Sequence, residues 1–359
     1  MTALAGPAMG SLSIERVDGL DAPAADWDRL ALAAENPFLS REWAQTWWRH
    51  HGEGEPFVLV ARDATGDIAA LLPMYSTSRG PLRIVRAVGH GAADRLGPVC
   101  APESIPAVGE ALRRWLAAPG VRFDLWIGER IDAAAGWDAT LRARVLRRER
   151  SPVLHLGADG WDAWLASCTQ NFRQQVRRFE KRLARETGAR FRLAGDPARL
   201  DDDLAALFAL HRLRWGDEST GFADEDRAFH AEFAAIAMER GWMRLWFAEN
   251  DDGPLAAWYG FRFGRSEFFY QAGRDPAYDR FKPGFVLMAH TIREALADGQ
   301  REFHLLLGDE PYKGRFADDD APVDTIVTAR GPVARATVAL AGTVARTEQG
   351  RHLLGRLTS

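Results

Sequence analysis

The sequence predicts an α/β (α+β) protein made of two tandem copies of one unit, because a hairpin, a loop and a buried strand recur in the same order in its two halves. Val58 to Leu71 reads VLVARDATGDIAAL and Leu245 to Trp258 reads LWFAENDDGPLAAW; Ala61 falls on Ala248, Gly66 on Gly253, and Ala69-Ala70 on Ala256-Ala257. FDLWIGE from Phe123 matches FHLLLGD from Phe303, each after an amphipathic helix and a glycine. Asp94-Arg95-Leu96-Gly97-Pro98 echoes Asp279-Arg280-Phe281-Lys282-Pro283. Hairpins resemble one another everywhere, but matches kept in order point to a duplication. The expected domains are 1–150, 151–330 and a helical tail over 331–359.

In the first copy, Ser40 is the expected N-cap of a helix over REWAQTWWRHH, where Trp43 and Trp47 lie one turn apart and Gly52 ends the helix. Trp47 and Trp48 are expected to be partly exposed. Phe57 to Arg62 and Ile68 to Leu72 flank Asp63-Ala64-Thr65-Gly66, a hairpin signal. Leu82 to Val88 is the next strand. The glycine-rich loop GHGAADRLGP follows, then a helix near Ile105 to Leu116 and the buried strand Phe123 to Ile127. Arg142 to Leu156 carries the chain across to the second copy.

There, Trp161 to Glu186 spaces Trp161, Trp164, Leu165, Cys168, Phe172, Val176, Phe179 and Leu183 as one buried helical stripe. Arg173, Arg177, Arg178, Lys181, Arg182 and Arg185 collect on the other face. A solvated face is the plain reading; tRNA, an anionic lipid head or a polyanionic glycan would also suit it. Leu204 to Trp215 and Phe229 to Met238 are further helices, and strands resume at Met243. Phe268, Phe269 and Tyr270 suit a pleated strand ended by Gly273, Asp275 and Pro276. Pro283 suits the first position of a helix carrying Phe285, Leu287, Met288, Ile292 and Leu296 up to Gly299. Phe303 to Leu307 is a short buried strand. A strand feeding a helix with uncapped amides makes an anion site. Gly284 would admit a phosphate, with Arg280 and Lys282 beside it, although proline then glycine is also ordinary capping.

At 359 residues, 47% hydrophobic and 27% charged, with a formal charge of −4, the composition is that of a soluble globular chain with no net drive towards nucleic acid. Only Cys100 and Cys168 are present, without metal-ligand spacing, so neither a disulfide scaffold nor a metal site is expected, and the setting reads as reduced and cytoplasmic. The N-terminus lacks the basic start and apolar core of a signal peptide. No run reaches the roughly 18 apolar residues of a spanning helix. The apolar ATVALAGTVA tail reads as a packed helix, with contact at the inner membrane face as the lesser reading. No Ser-His-Asp set, Walker loop or Rossmann fingerprint occurs, which leaves hydrolysis, phosphoryl transfer and NAD chemistry without support.

The ordered set of hairpin, long strand, DPAYDRFKPG loop, helix, strand and GDEPYK, with PFLSREWAQTWWRHHG near the start, resembles the GNAT-fold acetyltransferase-like proteins associated with cellulose or exopolysaccharide biosynthesis, relatives of the Fem-type peptidyltransferases. The resemblance spans nearly the whole chain. It implies two tandem GNAT-like domains, each a mixed, mostly antiparallel twisted sheet flanked by helices. The first copy would be degenerate and the second active, since Tyr259, Tyr270, Tyr278 and Tyr312 fall in the second and only Tyr75 in the first. It also implies acyl transfer from acetyl-CoA or another acyl-CoA to a small-molecule, glycan or peptide acceptor through an amine or hydroxyl, without a metal. In the Fem branch the donor would be aminoacyl-tRNA, and a non-catalytic role in polysaccharide assembly is the third reading.

The loop departs from the family's glycine-rich pattern, with Arg280, Phe281, Lys282, Pro283, Gly284 and Phe285 standing where the pyrophosphate would bind. By the resemblance, Asp309 or Glu310 would take the acceptor's proton, Tyr312 or Tyr270 would protonate the sulfur, and Lys313 would hold an anionic group. Local sequence alone makes GDEPYK a solvated turn. His211, Arg214 and Trp215 would face the acceptor; a cationic helix end satisfying its own dipole is the alternative.

Overall fold

The structure, a computed structural model, describes residues 11–157, 159–216, 222–308 and 310–344, apart from the side chains at 224, 225 and 341–344. The chain divides into two compact units, Met1–Arg150 with Ala321–Ser359, and Ser151–Asp320. The first opens with β1 (Ser13–Asp18), α1 (Ala24–Ala34) and α2 (Arg41–His51). It continues through β2 (Glu55–Arg62), β3 (Ile68–Arg79), β4 (Leu82–Ala87), α3 (Ile105–Ala117), β5 (Leu125–Asp132), α4 (Trp137–Leu141) and β6 (Arg144–Glu149). The second contains β7 (Pro152–His155), α5 (Gly160–Ser167), α6 (Gln170–Thr187), β8 (Arg190–Leu193), α7 (Leu200–Trp215) and α8 (Asp224–Glu239). It then runs β9 (Met243–Asn250), β10 (Gly253–Phe263), β11 (Ser266–Arg274), α9 (Pro283–Ala297), β12 (Glu302–His304) and β13 (Asp319–Asp320). The chain ends in the first unit with β14 (Val323–Ala329) and α10 (Gly331–Val344).

Among the described residues each unit holds one seven-stranded sheet, ordered β1-β2-β3-β4-β5-β14-β6 in the first and β8-β9-β10-β11-β12-β7-β13 in the second. Position by position the two orders match. The parallel pairs are β4–β5 and β11–β12, each joined through a helix, α3 or α9; the other neighbours run antiparallel. The hairpins agree in register as well, with Ala61 opposite Ala70 and Ala248 opposite Ala256, and a bulge beside each pair. Ala256 is therefore the counterpart of Ala70, one residue earlier than the sequence match set it. The duplicated, mixed and mostly antiparallel architecture is the one expected.

The sixth strand of each sheet comes from the other repeat. After β6 the chain supplies β7 to the second sheet, and after β13 it supplies β14 to the first. Residues 321–330, expected in the second domain, thus contain a strand of the first, and 142–156, expected as a crossing, contains two strands. A one-sided hydrophobic pattern says that a strand is buried but not in which sheet.

Local physics accounts for most element ends. The Ser40 side chain accepts from the Trp43 amide and starts α2, and Gly52 follows its last residue. The helix expected over 161–186 is two helices, because the Thr169 side chain accepts from the Phe172 amide and caps a new start. The strand expected to reach Leu307 ends at His304. Trp47 is 2% exposed rather than partly exposed, packed against Tyr75 and His90. In the second unit, α9 lays Leu287, Met288, Ile292 and Ala295 on Trp246, Ala256, Trp258, Phe269 and Phe303 of the sheet. Burying each large apolar side chain there contributes about 1.5–3 kcal/mol, which fixes the helix whose first turn borders the site.

Candidate active site

In the second unit β11 pairs with β12 only from Ser266 to Phe268, although β11 itself continues to Arg274. Beyond Phe268 the strand has lost that neighbour, and the space is taken by a cleft of about 170 Å³. Its floor is apolar, formed by Ala257, Trp258, Phe269, Ala272, Leu287 and Met288. Its rim carries Arg214, Arg274, Asp279, Lys282, Gly284, Phe285 and Tyr312.

One end is built to receive an anion. Lys282 sits at φ 56°, the left-handed region that non-glycine residues avoid, and caps α9 with no side-chain hydrogen bond. Pro283 has no N–H, so the Gly284 and Phe285 amides are the first donors of the helix, at the positive end of its dipole. A Cβ placed on Gly284 would meet only Arg274 Cδ, at 3.9 Å. Packing therefore leaves the approach to these amides open. Arg274 Nε and Nη2 donate to Asp279 at 2.6 and 3.4 Å. That hydrogen bonding holds the Asp279 carboxyl below its usual range, helped by the charges of Arg274, Lys282 and Arg214. With one carboxylate against three cations, the rim is electropositive.

The other end is Tyr312. Burial pushes its hydroxyl up to about 12, with the Arg214 charge opposing and the Glu310 charge adding. The phenol is thus protonated at neutral pH. The Arg214 guanidinium lies 5.6 Å from the Tyr312 ring centroid.

Arg214 reaches this rim because α7 rides directly on β11. A Cβ on Gly273 would fall 2.3 Å from the His211 amide nitrogen and 2.4 Å from the Leu210 carbonyl carbon, both backbone atoms. Gly273→Ala should therefore force helix and strand apart. We expect a loss of about 1–3 kcal/mol in chemical denaturation, together with weaker binding of anions at the cleft.

Of the residues chosen from sequence, Arg214, Lys282, Gly284, Phe285 and Tyr312 meet at this cleft. The others do not line it. Glu310 pairs with Lys313 at 3.1 Å, and Lys313 is 4% exposed with its Nζ donating to the Leu307 carbonyl. Both are thus turned to each other in the tight turn after β12, and the solvated turn expected from local sequence is not what forms at Lys313. Asp309 lies outside the described residues. Tyr270 points to the opposite face of the sheet, among His230, Tyr259 and Phe261 at ring distances of 5.6, 6.1 and 5.8 Å. His211 is buried on that face too, and burial draws its imidazole down to about 4, against the opposing effect of a hydrogen bond that the ring donates to the Gln271 side chain. Trp215 is exposed at the end of α7. Phe281 is buried with Leu183, Leu255 and Val286, Pro283 is buried in the first turn of α9, and the Arg280 guanidinium lies over the Phe281 ring. Arg274 and Asp279 were missed as rim residues; the signal was the small residue Gly273 just before Arg274.

The corresponding space of the first unit, between β3, β4, β5 and α3, measures only about 30 Å³. Trp126 and Trp137 fill it, with Trp126 folded over Gly128 so that a Cβ there would lie 2.8 Å from the indole. Leu96 of the glycine-rich loop bridges to Ile131 and adds to the closure. Among the described residues no three His, Cys, Asp or Glu side chains are grouped to hold a metal ion, and no helix is long and apolar enough to cross a membrane.

Residues 170–314 match the family model of the acetyltransferase (GNAT) domain. The chain is similar in structure to FemX, at 10% identity and a TM-score of 0.64, over 91% of this chain and 100% of the other. It is also similar to the C-terminal domain of a putative lysylphosphatidylglycerol synthetase from Agrobacterium fabrum, at 11% identity and a TM-score of 0.54, over 88% and 96% of the two chains. A third is L-PGS from Bacillus licheniformis, at 13% identity and a TM-score of 0.50, over 84% and 96%. No curated protein matches the sequence. At these identities the solved structures speak to fold, and the fold is a tandem, Fem-like GNAT architecture in which every residue lining the cleft falls within the matched acetyltransferase domain, residues 170–314.

Proposed function

We propose that the second unit transfers an acyl group from an acyl-CoA thioester to an amine or hydroxyl acceptor. The supporting observation is one cleft that joins the uncapped start of α9, ringed by Lys282, Arg274 and Arg214, to the protonated hydroxyl of Tyr312. Lys282 and the Gly284 and Phe285 amides would hold phosphate oxygens, and the floor from Ala257 to Met288 would take the thin chain that follows. Bound there, the thioester supplies an electrophilic carbonyl and a thiolate leaving group. Tyr312 gives its proton to the sulfur as the acceptor's N–C or O–C bond forms and the C–S bond breaks, then regains a proton from the acceptor. Asp279 is held by Arg274 and Glu310 by Lys313, so among the described residues neither of these carboxylates stands ready as a base, and an amine acceptor is taken to arrive already neutral.

Calorimetric titration with acetyl-CoA tests the donor. Lys282→Ala and Gly284→Val are each expected to weaken binding about tenfold or more, or about 1.4 kcal/mol. A folded native protein that binds no acyl-CoA contradicts the reading. The resemblance to polysaccharide-associated proteins supports an acceptor in polysaccharide or cell-envelope assembly, reached from the cytoplasm.

A second reading, aminoacyl transfer from charged tRNA, is favoured by one observation: Arg177, Arg178, Lys181 and Arg185 stand exposed along α6. It requires tRNA association that weakens steeply with salt and is reduced in the Arg177→Ala/Arg178→Ala variant. A gel shift with no retarded tRNA at low salt eliminates it.

A further inference from the structure

A second pocket, of about 430 Å³, opens in the same unit between the junction of α5 and α6 and residues 314–318. It is larger than the cleft and shares no lining residue with it. We propose that this pocket is a second ligand site and that it takes a neutral, hydroxyl-rich ligand of the size of one or two sugar residues. The proposal is one of binding and does not depend on the transferase reading.

The lining offers donors, acceptors and apolar faces together. Asp318, which lines the pocket, accepts through Oδ1 from the His155 amide at 3.0 Å and from His155 Nδ1 at 3.1 Å, so its Oδ2 takes no part in these two bonds. Arg315 Nη2 donates to Gln175 at 2.7 Å, and its guanidinium lies 5.4 and 5.0 Å from the ring centroids of Phe172 and Phe285, so its remaining N–H groups are held in a defined plane. Asn171 accepts from Gln175 through Oδ1 at 3.0 Å, and its NH₂ is left to donate. The Ser167 hydroxyl gives its proton to the Trp164 carbonyl at 2.7 Å and keeps its lone pairs. Trp164 and Phe172, 6.1 Å apart and perpendicular, supply apolar faces.

Charge decides the class of ligand. One guanidinium and one carboxylate cancel, so a cation or an anion would be drawn by one and repelled by the other. A polyol uses both, because each hydroxyl can donate to Asp318 and accept from Arg315, while its C–H faces lie on the aromatic rings. The pocket also has a mechanical link to the cleft. Phe172 and Phe316, which line it, pack on Phe285 at 5.7 and 5.3 Å, and Phe285 borders the cleft. A ligand that shifts these two rings would be felt at the first turn of α9.

The test is a titration of the full chain with glucose and with N-acetylglucosamine, read by tryptophan fluorescence and by saturation-transfer NMR, with inorganic phosphate and spermidine as charged comparators. Saturable binding of at least one sugar is expected, weakened tenfold or more by Arg315→Gln and by Asp318→Ala and unchanged by Lys282→Ala. If Asp318→Ala loses its fold with the His155 contacts, Asn171→Ala replaces it, with a smaller loss expected. The proposal is overturned if neither sugar binds, if binding ignores these substitutions, or if phosphate or spermidine binds the pocket in preference. Acetyl-CoA titrated separately keeps this outcome distinct from that of the donor cleft.

Discussion

Tyr312→Phe is expected to lower kcat by about 10²–10³-fold, the usual worth of a positioned proton donor, while the dissociation constant for acyl-CoA changes less than about twofold. The substitution removes one hydroxyl and keeps the ring beside Arg214, so binding and folding should survive. Sign and range of the pH dependence follow from the same group. A hydroxyl held at about 12 keeps its proton below that value, so Tyr312 can donate across the whole accessible range. With no free carboxylate among the described residues that line the cleft, the rate with an amine acceptor should climb as the amine itself loses its proton, and no alkaline fall should appear until the pH approaches that of the phenol. Steady-state rates from pH 6 to 10 check this. A bell-shaped profile with an alkaline limb near pH 8, or a Tyr312→Phe enzyme of native rate, would assign the proton to another group.

Ending the chain after Asp320 is expected to unfold the first unit. The lost β14 lies between β5 and β6 and buries Val323, Ile326 and Val327, each 3% exposed or less. At about 1.5–3 kcal/mol for each side chain, the loss is about 5–9 kcal/mol, comparable with the total stability of an ordinary domain. Arg148 would also lose Asp324, which it now grips through two bonds of 2.7 Å. The second unit keeps all seven of its strands, since β7 and β13 both lie before the cut. Circular dichroism and thermal melting should therefore show a loss of strand signal and one surviving transition, with acetyl-CoA binding retained. A truncated chain that melts like the full one would contradict the strand assignment.

Much of the fold was legible because its signals are local. Ser40 and Pro283 announce helix starts through chemistry that acts within one turn, and the alanine pairs mark both hairpins to within one residue. Thr169 carried an equally local signal, hidden by a stripe of apolar residues that keeps its spacing across two helices. The exchange of β7 and β14 is different. No residue in Val323–Ala329 distinguishes pairing with β5 from pairing with β12, so only the assembled sheet reveals it.

The site was legible at its anion end, where Lys282 and Gly284 stand at a helix start. It was less so where side-chain direction decides. Period two along β11 already places Tyr270 opposite to Phe269, and Phe269 faces α9. Parity thus separates Tyr270 from the cleft despite its suggestive neighbours. Glu310 and Lys313 look like catalytic groups in a linear reading, but a turn closed by the Lys313 amide donating to the Glu310 carbonyl at 2.9 Å brings them together, and the lysine is buried.

Whether the start of α9 and Tyr312 serve one bound acyl donor would be seen in a crystal structure of the protein with acetyl-CoA. Phosphate oxygens are expected on the Gly284 and Phe285 amides and Lys282 Nζ, with the sulfur within hydrogen-bond reach of the Tyr312 hydroxyl. Phosphates elsewhere, or a sulfur on the Tyr270 face of the sheet, would contradict a single donor serving both.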